Sequence, residues 1–106
     1  MEHLSLNYQE MQWEEAPSYP PGTLMKVLGR DEKGQPLTVI LKVGEGFEME
    51  GHSHMGTEQH FVLEGEYESE DRIYQVGSYR LIPERASHGP FKSEKGAVIL
   101  ILWDAK

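Results

Sequence analysis

The chain contains no cysteine, so disulfides and thiolate metal sites are excluded and any bound ion must be held by nitrogen and oxygen. Long apolar runs are also missing, and the opening MEHLSLNYQE lacks a basic stretch followed by an apolar one. The expectation is no membrane span, no leader and a cytoplasmic setting. Positive charge is scarce: 10 Lys and Arg stand against 18 Asp and Glu, a formal net charge of −8. The basic residues form no run, and an acidic surface repels phosphate backbones, so nucleic acid is excluded as a partner. Hydrophobic residues make up 38% of 106 positions, enough for one domain with a modest core.

Punctuation, by contrast, is plentiful. With 11 Gly and 6 Pro, the segments between breaks are too short for long helices and rich in strand formers. TLMKVL (Thr23 to Leu28) and LTVILKV (Leu37 to Val43) read as strands joined by GRDEKGQP, which carries hairpin chemistry. EQHFVLEG is a further strand, EYESE and IYQV form a hairpin, and SYRLIP is a strand ending at Pro83. GAVILILWD (Gly96 to Asp104), the most apolar run, reads as a strand buried on both faces. Strands at this spacing predict an all-β antiparallel sandwich or barrel. PSYPPG bars a helix from the opening stretch. Residues 1–22 are therefore expected to form an arm or edge strand, with Trp13 and Tyr19 packed on the barrel or on a second subunit, and residues 23–106 the barrel.

The segment GFEMEGHSHMGTEQHFVLEG (Gly46 to Gly65) crowds together His52, His54, Glu58 and His60. Neighbouring imidazoles repel once protonated, a problem that a metal ion removes by binding the neutral rings. In extended backbone His52 and His54 project to one side, while Glu58 and His60 share one face of the next strand, with Phe61 and Leu63 on the other. His88, just beyond the strand-ending Pro83, offers a further imidazole from a distant strand. A lone histidine is usually solvated or hydrogen-bonded; a cluster with a distant additional histidine is a different matter. Arg80 and Arg85 flank Pro83 near the expected mouth, where either could clamp an anion, although balancing an acidic surface is the simpler expectation. Glu64, Glu66, Glu68 and Glu70 read as a solvated hairpin face, and Tyr79, Phe91 and Trp103 as core or interface.

These two segments resemble the motifs of the cupin superfamily. The first, G-x5-H-x-H-x3,4-E-x6-G, is matched in full by Gly46, His52, His54, Glu58 and Gly65. The second, G-x5-P-x-G-x2-H-x3-N, is matched by Gly77, Pro83 and His88, with Arg85 where glycine is usual and Lys92 where asparagine is usual. Within the superfamily the chain is similar to the cupin half of zinc-binding anti-sigma factors of the ChrR type and to acetylacetone-type dioxygenases. The resemblance implies a double-stranded β-helix, a jelly-roll-like barrel. It also implies one divalent transition metal per chain, held by His52, His54, Glu58 and His88. His60 stays open between a support for a ligand, a proton shuttle and an extra ligand; in an enzyme it is the candidate catalytic base. The anti-sigma proteins carry a helical domain ahead of the cupin for which these residues leave no room, which weakens transfer of the sigma-binding role.

Three imidazoles and one carboxylate suit zinc, iron, manganese or nickel without choosing among them. Closed tetrahedrally around zinc, the set makes a structural or sensing site. With open positions on an octahedral ion, it would let a chelating small molecule sit beside O2. Two functions follow: a metal-dependent dioxygenase acting on a small organic molecule, or a non-enzymatic zinc-binding sensor or regulatory module. A homodimer is expected in either case, since small single-barrel cupins resemble one another in dimerising and an N-terminal strand can cover an exposed edge.

Overall fold

The computed structural model describes residues 3–53 and 56–104, with the backbone alone at 52–53 and 87–88. These residues are all β apart from a 3-10 turn at Tyr8–Glu10, and none of their helices is long and apolar enough to cross a membrane. The strands are β1 (Glu14–Glu15), β2 (Leu24–Arg30), β3 (Pro36–Val43), β4 (Phe47–Met49), β5 (His52–Ser53) and β6 (Glu58–Ser69). There follow β7 (Arg72–Gln75), β8 (Tyr79–Ile82), β9 (Ser87–His88), β10 (Phe91–Ser93) and β11 (Ala97–Trp103). They pair antiparallel in the order β1-β2-β3-β11-β6-β10-β4, with β7 and β8 also on β6 and a separate β5-β9 pair.

The long strand β6 ties the barrel together. Its first part pairs with β11 and β8, and its second part with β10 and β7. The change of partner falls at Gly65, which has φ +70 and whose added Cβ would meet the Gly96 carbonyl oxygen at 2.2 Å. Only glycine tolerates both that backbone and that approach. The hairpin between β2 and β3 is as the sequence implies: the Asp31 carboxylate accepts from the backbone N–H of Lys33 and Gln35, at 2.8 and 2.9 Å.

The core lies inside the curled sheet, where Val39, Leu41, Val43, Val62, Ile99 and Ile101 are buried together. β11 is buried on both faces at Ala97, Val98 and Ile99, as β3 is at Val39, Ile40 and Leu41, and beyond that it leaves Leu100 and Leu102 half-buried on its outer face. The N-terminal segment packs on the neighbouring strands. Lys26 donates to the Tyr8 carbonyl at 2.8 Å and sits 4.3 Å from the Trp13 ring, and Lys42 lies 5.6 Å from the same ring. That segment therefore covers the outer face at β2 and β3. Tyr19, from the same segment, packs against the core.

Candidate metal centre

Cross-strand register sets what faces the interior. Val27, Val39, Ile101, His60 and Arg80 stand opposite one another on β2, β3, β11, β6 and β8. One row along, Trp103, Glu58 and Ile82 do the same. Residues opposite each other across antiparallel strands share a face. The apolar members of each row therefore carry Glu58 and His60 into the barrel, where they are 3% and 4% exposed. Phe61, of opposite parity, is 40% exposed on the outside.

Inside, these groups form one chain of hydrogen bonds. The Trp103 indole N–H donates to Glu58 Oε1 at 2.8 Å, and Glu58 Oε2 is hydrogen-bonded to His60 Nε2. His60 Nδ1 lies 2.7 Å from the Tyr67 hydroxyl. An ionised carboxylate only accepts, so neutral His60 carries its proton on Nε2 and Nδ1 accepts from Tyr67 O–H. Burial pushes the Tyr67 hydroxyl up to about 12, with the neighbouring Arg80 guanidinium holding the rise down. Burial, and then the charge of Glu58, push the Tyr19 hydroxyl well above the ordinary tyrosine range.

His52 and His88 are backbone partners in the β5-β9 pair. His54 lies outside the described residues, as do the side chains of His52 and His88. Among the described residues, no group of three or more histidines and carboxylates gathers in a way that could hold a metal. The donor set still fits a borderline divalent ion. It offers imidazole nitrogens and a carboxylate, the ligand types such an ion takes.

Glu58, His60 and Tyr67 form part of the wall of an otherwise apolar cavity of about 30 Å3, lined also by Tyr19, Leu41, Phe47 and Met49 among others. It has room for about one or two waters. Outside, a groove of about 740 Å3 shares Tyr19, Leu41 and Met49 as walls. Tyr19 thus stands between the two spaces.

The arginines differ from expectation. Arg85 is exposed, as balancing surface charge suggests, and it adopts φ +63. The glycine usual at that position is explained by this left-handed backbone. Arg80 is not a surface residue: its side chain is 9% exposed, and its Nη2 donates to Glu70 Oε1 at 3.0 Å. Glu70 is therefore more than a solvated hairpin residue. Tyr79, 55% exposed, is outside the core, while Phe91 is within it. Sequence reasoning missed Tyr67, because residues 58, 60 and 62 point inward but the bulge at Leu63, between Val62 and Glu64, switches the inward set to 67 and 69. Arg80 was legible in principle, since it shares parity with Ile82.

An antiparallel jelly-roll barrel whose first motif carries a buried glutamate, beside a strand pair joining two motif histidines, is a cupin. More narrowly, the chain belongs to the ChrR cupin-like domain family, whose profile matches residues 1–104. Comparison with curated proteins gives no match. Among solved structures, it resembles a chain of the Rhodobacter sphaeroides complex of SigE with the anti-sigma ChrR. That likeness has TM-score 0.73 and 19% identity, over 92% of this chain and 52% of that one. The chain thus spans about half the length of that neighbour. An RmlC-like cupin from Ralstonia eutropha JMP134 is similar at TM-score 0.81 and 18% identity, over 97% and 69% of the two chains. An acetylacetone dioxygenase from Acinetobacter johnsonii is similar at TM-score 0.75 and 16% identity, over 97% and 76%. At these identities the likeness is one of fold.

Proposed function

We propose that the protein is a metal-binding cupin that acts as a dioxygenase on a small organic molecule. One observation carries this reading: the buried Trp103–Glu58–His60–Tyr67 chain opens onto an apolar cavity, on the strand that follows the motif histidines. In the proposal one zinc, iron, manganese or nickel ion is held by His52, His54, Glu58 and His88. When bound it supplies Lewis acidity and, for iron, manganese or nickel, redox reach. Trp103 and His60 hold the Glu58 carboxylate in one orientation, as partners of ligands commonly do. His60 is the base, taking a substrate proton at Nδ1 once the Tyr67 hydroxyl turns away. The cavity alone is small for a substrate, and the outer groove, which shares Tyr19, Leu41 and Met49 as walls, offers the additional space. The similarity to an acetylacetone dioxygenase supports a β-diketone as the first compound to try.

The same small cavity favours a second reading, a non-enzymatic zinc-binding regulatory module. Family membership and the likeness to a chain of the SigE–ChrR complex support it. Oxygen uptake separates the two. Loaded with Fe(II), the enzyme consumes O2 with a β-diketone, and His60→Ala loses rate while keeping its iron. No uptake with iron, nickel and manganese each loaded and verified, together with zinc that Fe(II) does not displace, establishes the module. In either case we propose a homodimer, supported by the apolar side chains Phe61, Tyr79 and Leu81 exposed on adjacent positions of β6 and β8.

A further inference from the structure

Arg80 stands directly opposite His60 across β8 and β6, so the two side chains enter the barrel on the same face. Its guanidinium lies over the rings of Tyr74 and Phe91, at 4.9 and 5.6 Å from their centroids. Those two rings flank Tyr67, which stacks on Tyr74 at 5.1 Å and tilts against Phe91 at 5.9 Å. The head of Arg80 therefore sits beside the Tyr67 hydroxyl. It is close enough that a hydrogen bond and its charge hold down the rise that burial imposes on that hydroxyl.

The two ends of the guanidinium have different tasks. Nη2 donates outward to Glu70 Oε1 at 3.0 Å, on a side chain that is 50% exposed. Nη1 is buried and has no other partner among the described residues. A buried donor left unpaired is costly, and the lone pairs of the Tyr67 oxygen are what it can use. A phenol can donate or accept, but arginine only donates. Arg80 therefore fills lone pairs on Tyr67 and leaves the hydroxyl proton for His60 Nδ1, 2.7 Å away. With Nδ1 accepting, neutral His60 carries its own proton on Nε2, toward Glu58 Oε2. Donation thus runs one way, from Arg80 through Tyr67 and His60 to the carboxylate.

We propose that Arg80 and Tyr67 are positioning residues for the metal centre: Arg80 commits the Tyr67 proton to His60, and His60 so held fixes the orientation of Glu58. This role rests on Glu58 as a metal ligand, but its first test needs no metal. The full chain, metal-free and with isotope-labelled histidine and arginine, is followed by nitrogen NMR at about pH 8.5, above the ordinary imidazole range. His60 is expected as a single neutral tautomer, protonated on Nε2 and hydrogen-bonded at Nδ1. Tyr67→Phe keeps the stacked ring and removes the hydroxyl. It should move the Nδ1 resonance to that of a free ring nitrogen and shift the Arg80 guanidinium resonances. Arg80→Met should move Nδ1 part of the way, because the hydroxyl loses the donor that orients it. Both variants should also bind zinc about tenfold more weakly or worse, the loss typical for partners of metal ligands. A wild-type His60 protonated on Nδ1 overturns the proposal, as does a Tyr67→Phe spectrum with both signals unmoved. Unchanged zinc affinity in both variants overturns it too. If the wild type binds no zinc, the metal reading fails and the positioning role with it, whereas an NMR failure in a chain that binds zinc overturns the positioning role alone. If Arg80→Met does not fold, Tyr67→Phe decides, since it reports on both ends of the hydroxyl.

Discussion

On the inner face of β6 and β8 stand Glu58, His60 and Arg80, while the outer face of the same strands exposes Phe61, Tyr79 and Leu81. Hydrophobicity alone would arrange these six residues the other way round. The inner groups are tolerated because each has polar or aromatic company: Trp103 and His60 for Glu58, Tyr67 for His60, Glu70 and two rings for Arg80. The outer residues lie where the N-terminal segment, occupied over Lys26 and Lys42, does not reach. One face thus buries a hydrogen-bonded polar network and the other exposes apolar side chains. The inversion marks both as places where something other than the packing of one chain sets the residue.

Two substitutions test this contrast, the larger effect first. Ile101 is 2% exposed and stands beside His60 on the inner face. Ile101→Ala should lower unfolding free energy by about 2–5 kcal/mol, the usual loss for truncating a packed core side chain. A denaturant midpoint close to wild type would show that the inner face is not a packed core. Leu81, 54% exposed, should behave oppositely. Leu81→Glu is expected to change monomer stability by no more than about 0.5 kcal/mol, as for surface positions generally, while light scattering shows the homodimer giving way to monomer. A dimer that persists in that variant would move the proposed interface elsewhere.

Much of the fold was legible because glycine and proline fix its breaks and alternation fixes its faces. The β2–β3 hairpin, the strand at EQHFVLEG and the shared parity of Glu58 and His60 all follow from local chemistry. What was not legible depends on neighbours far along the chain. Nothing within GAVILILWD shows that its outer face is buried at Val98 yet half-open at Leu100 and Leu102. Parity counting fails across the bulge at Leu63, so Tyr67 was hidden, and simple charge balance hid the burial of Arg80. Arg85 shows the reverse case. A mismatch at a motif glycine marks a backbone at φ +63, where a side chain is accepted because it stays exposed.

The central claim is that His52, His54, Glu58 and His88 hold one metal ion, and elemental analysis tests it most directly. Protein purified without chelators, or loaded and then desalted, should carry about one divalent transition-metal ion per chain, as a set of borderline ligands requires. His54→Ala and His88→Ala should each lose most of that ion. A wild-type chain that retains no metal after loading, or variants that keep full occupancy, would contradict the account.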